Sequence, residues 1–205
     1  MDKQFPIFLL QVIFSDEASI EVQMAQPRRI RKRPEPYSSR HMAMRVKKPQ
    51  KVMIWACMSS QGMGRIHVVD GSMNANQYLC VLRTRLVPQA SDWFGDDFIY
   101  QHDEAPCHTA KVIKKYFEEN QIRVLPWPSN SPDMSPIETI WAIIKRQLER
   151  HTLTSRSDLI NRLLDVTQRD TEVKQKLDES CRKLMLSMPE RVSALLQAKG
   201  GHTKF

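Results

Sequence analysis

The chain has 205 residues, of which 41% are hydrophobic and 26% charged, and this composition is typical of a globular protein of one domain. No apolar run approaches the roughly 18 residues that a membrane span requires, so we expect no membrane-embedded segment. The formal net charge is +8, and the four cysteines match no zinc-binding spacing, which favours reduced thiols and excludes a zinc site of known pattern.

The first third of the chain predicts three strands and one long loop. Residues 7–14 are β-rich and nearly all apolar, which is typical of a strand buried on both faces, and this strand is expected to end at Asp16. Prolines interrupt residues 27–51, which are therefore predicted to be a loop. "KVMIWACMSS" predicts the second strand and, after a "QGMG" turn, "RIHVVDG" predicts the third.

The middle of the chain alternates helices with short strands. Residues 76–86 carry apolar side chains at helical spacing, and "DDFIYQHD" predicts a short fourth strand that ends at Asp103. "TAKVIKKYFEENQ" predicts an amphipathic helix, and "IRVLPWP" predicts a fifth strand closed by prolines. The side chains expected to face inward on this helix are Val112, Ile113, Tyr116 and Phe117.

The last part of the sequence is predicted to be helical. A helix is expected over residues 136–150, followed by three short capped helices. Strands that alternate with helices indicate an α/β fold in which helices flank a mixed sheet. We therefore expect a core domain over residues 1–150 and a C-terminal helical extension over residues 151–205, packed on or beside the core.

The positive charge is concentrated in one segment, residues 27–51, which contains ten basic residues and one acid. A dense basic segment favours polyanions, with DNA or RNA first. Two alternatives stay open, a solvated loop and a nuclear-import signal in "RRIRKR". The residues predicted to contact nucleic acid here are Arg28, Arg29, Arg31, Lys32, Arg33, Lys47 and Lys48.

Three acidic residues, Asp16, Asp103 and Glu138, lie at predicted strand ends or a helix start, where one edge of the sheet could bring them together. Each has a structural alternative: a turn for Asp16, a helix cap for Asp103, and for Glu138 a capping box with Ser135. Three carboxylates in contact repel, and Mg²⁺ or Mn²⁺ removes that penalty because hard cations prefer oxygen ligands. Two such ions about 4 Å apart suit in-line displacement at phosphorus.

Several segments then resemble a known family. "FSDEA", "QHDEAPCHTAK" and "WPSNSPDMSPIETIW" resemble the three catalytic blocks of Tc1/mariner-type transposases, and 34 residues (138 − 103 − 1) separate Asp103 from Glu138, the spacing of the Tc1-like branch. The resemblance implies a ribonuclease-H-like fold with Asp16, Asp103 and Glu138 as the acidic triad. It also implies a metal-dependent enzyme that cuts phosphodiesters at transposon ends and joins the freed 3′-hydroxyl to target DNA.

The sequence departs from the family pattern in three places, one of which is Ser135, where the family commonly has Asn. Glu104 stands where the family usually has Asn, and an extra charge beside the metals alters their binding. Family members carry helix-turn-helix domains before the catalytic core, but only about a dozen residues precede "FSDEA" here, so we expect a truncated or decayed copy. The alternative is a catalytically inactive nucleic-acid-binding protein that keeps the fold. A ribonuclease of similar fold has no support beyond topology.

Other assignments follow from the same patterns. His108 is predicted to contact nucleic acid or to support the acidic site from behind, and a helix-start histidine bonded to backbone is the structural alternative. The C-terminal helices either pack on the core or mediate self-association as a homodimer. A DNA-acting protein of this kind is expected in the nucleus.

Overall fold

The computed structural model of the chain describes residues 7–21, 51–127, 134–151, 153 and 155–197. Within these residues the core is a six-stranded mixed sheet in the order β3-β2-β1-β5-β6, with β4 also paired to β2. The β1–β5 and β5–β6 pairs are parallel, and the other pairs are antiparallel. The strands are β1 (Val12–Glu21), β2 (Lys51–Ser59), β3 (Gly62–Met63), β4 (His67–Val69), β5 (Ile99–Gln101) and β6 (Arg123–Val124).

The first strand differs from its prediction at both ends. Ile7–Gln11 form a 3₁₀ helix, and the strand begins at Val12 and continues through Asp16 to Glu21. The prediction that Asp16 ends this strand is therefore wrong. The strand continues because Phe14 to Glu21 pair along the whole length of β2, and this ladder satisfies the backbone groups on either side of Asp16.

Helices cover both faces of the sheet, as the α/β pattern predicted. The segment predicted as one helix over residues 76–86 extends further, because a π-helical turn, Leu82–Leu86, joins two α-helices and the chain stays helical past Pro88. The α-helices are α1 (Ala75–Val81), α2 (Val87–Phe94), α3 (Lys111–Glu119), α4 (Pro136–Leu148), α5 (Arg156–Leu164) and α6 (Thr171–Gln197).

Alternate residues of β1 enter two different hydrophobic clusters. Phe14 and Ala18 pack with α4, α5 and α6 on one face of the sheet, whereas Ile13 packs with α1, α2 and α3 on the other. On α3 the predicted inward residues Ile113, Tyr116 and Phe117 are buried, but Val112 is 40% exposed, so its predicted orientation is wrong. The helix is only nine residues long, and its buried stripe is narrower than the apolar sequence suggested.

In its described residues, 151, 153 and 155–197, the C-terminal segment forms two α-helices rather than three. A π-helical turn, Asp165–Arg169, follows α5, and α6 runs for 27 residues through Pro189, where the sequence predicted a break. One hydrophobic cluster contains Ile140 of α4, Leu163 of α5, and Leu177 and Met185 of α6. This shared packing holds α6 against the core. No helix in the described ranges is long and apolar enough to cross a membrane.

Candidate active site

Asp16 lies on the face of β1 that α4 covers. The indole Nε1–H of Trp141 donates a hydrogen bond to Asp16 Oδ2 at 3.0 Å, and Trp141 itself is 1% exposed. Burial raises the pKa of Asp16 to about 7, the Trp141 hydrogen bond opposes this, and the charge of Glu138 raises the pKa further. Asp16 is therefore a poorly solvated carboxyl group that is electrostatically coupled to Glu138.

Glu138 occupies the first turn of α4, one turn before Trp141, so both side chains lie on the same side of the helix. Ser135 is the N-cap residue and Pro136 follows it, as predicted. Within the described part of this helix start, however, the Ser135 side chain makes no capping hydrogen bond, so the capping-box interpretation is wrong. Glu138 is close enough to Asp16 for its charge to raise the pKa of Asp16.

Asp103 follows the short strand β5, which pairs in parallel with β1. Val12 lies beside Ile99 and Phe14 lies beside Gln101. Continued for two residues beyond its last pair, the same register would set Asp103 level with Asp16. Because β5 ends at Gln101 while β1 continues, Asp103 lies beyond the last paired residue of β5, and its side chain is 60% exposed. Asp16 and Glu138 are thus electrostatically coupled, and Asp103 follows the strand that pairs with β1.

His108 lies behind Asp103 and contacts it directly. Its Nδ1 is 2.5 Å from Asp103 Oδ1, which also accepts the Ala105 N–H at 3.0 Å. The hydrogen bond with His108 lowers the pKa of Asp103 despite partial burial. Burial lowers the pKa of His108, but the hydrogen bond to Asp103 and the contact with Glu17 outweigh it and raise the pKa to about 10. The pair is therefore an imidazolium and a carboxylate at neutral pH.

The burial of His108 bears on its predicted role. The residue is 3% exposed and its ring packs against that of Tyr78 at 4.1 Å between centroids. Direct contact with nucleic acid, as predicted from the sequence, would require the ring to leave this position. The predicted support of Asp103 from behind matches the observed contacts, so this is the alternative that the geometry favours.

Sequence reasoning missed several residues of this site. Glu17 follows Asp16, and alternation along β1 places it on the opposite face, where its Oε1 lies 3.3 Å from His108 Nε2. Ser15, Tyr100 and Tyr78 form a buried chain of hydroxyl groups next to it, with oxygen separations of 2.6 and 2.8 Å. The adjacent acids in "SDEA" were the available signal for Glu17.

A cavity of about 390 Å³ opens beside Asp103. Its walls combine charged and aromatic side chains, including Asp103, Glu104, Lys114, Phe117 and Trp127. The edge of the Trp127 ring packs on Phe14, with 5.5 Å between ring centroids, which fixes one wall to the core. Glu104 is exposed and lines this cavity, so the residue that departs from the family pattern faces the space next to the acids.

The donor set fits hard divalent cations. Carboxylate oxygens are the preferred ligands of Mg²⁺ and Mn²⁺, and a cation near Asp16 would offset both the burial and the repulsion by Glu138 that raise its pKa. Among the described residues, no three His, Cys, Asp or Glu side chains are gathered closely enough to coordinate one ion. Metal coordination by Asp16, Asp103 and Glu138 therefore stays a prediction.

Some sequence predictions lie outside the described residues. These are the basic contacts Arg28, Arg29, Arg31, Lys32, Arg33, Lys47 and Lys48. Of the basic segment only Lys51 is described, and it is ion-paired with Glu21 at 2.8 Å.

Comparison with known proteins finds a matching family model and similar transposases. A family model described as DDE superfamily endonuclease matches residues 11–160. The Tcb2 transposase of Caenorhabditis briggsae is 35% identical over 155 residues, covering 75% of this chain and 54% of that protein. The Tc1 transposase of Caenorhabditis elegans is 31% identical over 154 residues, with the same coverage of both chains. The chain thus spans about half the length of the curated relatives that it matches.

Solved structures share the fold. The Mos1 mariner paired-end complex with Mg has a TM-score of 0.80 at 22% identity, covering 96% of this chain and 58% of that chain. The Mos1 transposase catalytic domain with raltegravir and Mg has a TM-score of 0.70 at 20% identity, covering 97% of this chain and 88% of that one. The predicted ribonuclease-H-like sheet with flanking helices is confirmed by this likeness.

Proposed function

Since this chain belongs to the DDE superfamily endonuclease family and is a catalytic domain of Tc1/mariner type, we propose that it cuts and joins DNA phosphodiester bonds with bound divalent cations. One observation carries the proposal. Asp16 is half-buried, accepts a hydrogen bond from Trp141 and is coupled to Glu138, and Asp103 follows the strand that pairs in parallel with β1. This arrangement supports the proposal that the three acids act together on a substrate.

In this proposal Asp16, Asp103 and Glu138 hold two Mg²⁺ or Mn²⁺ ions. Such ions activate the attacking oxygen and stabilise the leaving oxygen of an in-line displacement at phosphorus. The protein contributes the ligands and their orientation. Trp141 holds one oxygen of Asp16, and His108 with the Ala105 N–H holds one oxygen of Asp103. Asp16 and Asp103 are thereby each fixed through one oxygen.

The neighbouring structures support the choice of metal and substrate. Mos1 was solved as paired-end complexes with Mn and with Mg and as a strand-transfer complex. By analogy, we propose that this chain uses Mg²⁺ or Mn²⁺ and acts on transposon ends and target DNA. The basic segment would hold the phosphate backbone through Arg28, Arg29, Arg31, Lys32, Arg33, Lys47 and Lys48.

Assembly and location belong to the same proposal. Leu186 and Leu196 on α6 are 52% and 73% exposed, so α6 offers apolar surface for a homodimer, and light scattering of the purified chain measures this. The basic stretch "RRIRKR" is consistent with import into the nucleus. A fluorescent fusion of the full chain tests this, with the basic residues of the stretch replaced by Gln in the control.

The proposed activity is tested with supercoiled plasmid and with a pre-cut duplex that carries a free 3′-hydroxyl. We expect nicking and joining in Mg²⁺ or Mn²⁺ and neither in EDTA. Asp16→Asn and Asp103→Asn should each reduce the rate by more than about 100-fold, because even residues behind metal ligands cost about 10–100-fold. Asp96→Asn, an exposed acid on the loop before β5, is the matched control. DNA binding without metal-dependent nicking, unchanged by Asp103→Asn, would leave the non-catalytic alternative.

A further inference from the structure

Asp103 is supported by a buried histidine that itself contacts a second acid. His108 Nδ1 is 2.5 Å from Asp103 Oδ1 and 3.3 Å from the Asp103 carbonyl oxygen. On the far side of the ring, His108 Nε2 is 3.3 Å from Glu17 Oε1, which is an ion-pair distance without hydrogen-bond geometry. The imidazole therefore lies between two carboxylates, of which one belongs to the proposed metal site.

The two atoms that meet in the contact between Glu17 and His108 make no hydrogen bonds in the described part of the chain. Within the described residues, Glu17 Oε1 and His108 Nε2 are both buried and neither has a hydrogen-bond partner. The Glu17 side chain is 17% exposed and that of His108 is 2% exposed. A buried carboxylate oxygen without a hydrogen bond is costly, so the ion-pair contact with His108 is the interaction that compensates Glu17 Oε1.

The surroundings hold the imidazole in place. Its ring packs on Tyr78, and the Tyr78 hydroxyl is 2.8 Å from that of Tyr100, which is in turn 2.6 Å from Ser15 Oγ. All three of these residues are buried. Rotation of the His108 ring would therefore disturb a packed wall and break its contacts with both carboxylates.

The sequence of β1 explains how one strand serves both sides of the site. Asp16 and Glu17 are consecutive, so their side chains point to opposite faces of the sheet. Asp16 faces α4 and Glu17 faces the cluster of α1 and α3, from which it reaches His108. Glu17 lies on the opposite face of the sheet from Asp16, so it does not share the ligand position of Asp16. It contacts the site through His108.

We propose that Glu17 and His108 are positioning residues that fix the Asp103 carboxylate for divalent-cation binding, with Glu17 acting through His108. This inference rests on the proposed function, because it assumes that Asp103 is a metal ligand. The hydrogen bond from the His108 ring holds Oδ1, and the orientation of Oδ2 is thereby limited. Glu17 contacts the far side of the ring and so limits its rotation away from Asp103.

The decisive experiment measures Mn²⁺ affinity of the full chain by the decrease of the free-ion EPR signal. Glu17→Gln keeps the size of the side chain and removes its charge, and we expect Mn²⁺ affinity to fall by about 10–100-fold, the usual effect of losing an outer-shell partner. Glu118→Gln is the control, since it removes one negative charge from the wall of the cavity beside Asp103 and should change the affinity less than about twofold.

A double-variant cycle tests whether Glu17 acts through the histidine. His108→Asn retains a donor at the position of Nδ1 but loses the atom that faces Glu17. In the His108→Asn background, Glu17→Gln should have no further effect on Mn²⁺ affinity. Additive effects of the two substitutions would overturn the proposed order of contacts.

A second measurement needs no metal and no catalysis. With ¹⁵N-labelled histidine, the metal-free wild-type chain should show a slowly exchanging Nδ1–H resonance for His108, and Glu17→Gln should accelerate its exchange because the ring loses its contact on the far side. Wild-type chain that binds no Mn²⁺ would contradict the proposed function together with this inference. Tight Mn²⁺ binding that Glu17→Gln leaves unchanged would overturn this inference alone.

Discussion

Asp16 carries a poorly solvated charge, so we predict that neutralising this side chain stabilises the metal-free protein. Asp16→Asn keeps the shape of the side chain and keeps an oxygen that accepts the Trp141 N–H. It removes a carboxylate that is poorly solvated and repelled by Glu138, the two causes that raise its pKa from 3.8 to about 7. The substitution should therefore increase stability at neutral pH, although Asp16 is a proposed catalytic residue.

The magnitude follows from the difference in pKa. A rise from 3.8 to about 7 corresponds to roughly 4 kcal/mol, at about 1.4 kcal/mol for each factor of ten. Asp16 is partly exposed, so solvent reduces this figure and we expect about 2–4 kcal/mol. Because the pKa of Asp16 is raised in the folded state, the free energy of unfolding of the wild type carries no penalty from Asp16 below pH 3.8. It falls as the pH rises towards 7. The advantage of the variant should thus be near zero at low pH and reach its maximum above pH 7.

Urea unfolding in EDTA at several values between pH 4 and pH 8 measures this difference. Asp96→Asn is the control, because this exposed acid should give a small difference that does not follow the same profile. Adding Mn²⁺ at pH 8 should then stabilise the wild type more than Asp16→Asn, since only the wild type retains the carboxylate. Parallel pH profiles for Asp16→Asn and wild type would refute the reasoning.

Three further predictions concern other parts of the chain. Trp141→Phe removes the donor to Asp16 and should destabilise the fold by about 1–3 kcal/mol in thermal unfolding, so an unchanged midpoint would contradict the contact. Gly62→Ala should cost at least about 1 kcal/mol in urea unfolding, because φ is +134° and a Cβ would lie 2.4 Å from Asp178 Oδ1. Neutralising five basic residues should weaken binding to random duplex DNA and reduce the salt slope, which fluorescence anisotropy measures; an unchanged slope would exclude backbone contacts from Arg28, Arg29, Arg31, Lys32 and Arg33.

Local sequence motifs are the basis on which the three acids were predicted. Motif blocks and the spacing from Asp103 to Glu138 identify the residues without knowledge of the fold, and the alternation of strands with helices predicts the layers. Both depend on patterns that neighbouring residues carry. The same patterns mark where strands and helices occur, and β2, α3 and α4 were found close to their predicted positions.

Element ends were less predictable because tertiary pairing decides them. Asp16 and Glu17 are typical of a strand end, but pairing with Ala56 and Trp55 of β2 keeps the backbone extended through both. Pro189 is typical of a helix boundary, but buried contacts on both sides of it, including Met185 and Arg191, keep α6 continuous. In each case long-range contacts outweigh the local preference.

The contact of His108 with Glu17 could not be predicted from sequence, although its support of Asp103 was one of the alternatives. Glu17 and His108 are 91 residues apart (108 − 17), and only the parallel pairing of β1 with β5 brings them together. The same is true of Ser15 and Tyr100, whose hydroxyl groups meet across that pairing. A residue's face on a strand follows from alternation, but its partner across the sheet requires the strand order.

The most direct test of the acidic site is anomalous diffraction from crystals of the chain soaked in Mn²⁺. The account predicts anomalous peaks in contact with the carboxylates of Asp16, Asp103 and Glu138, and weaker or absent peaks in crystals of Asp103→Asn. Crystals of the wild type with Mn²⁺ bound elsewhere on the surface, and none at these three acids, would contradict it.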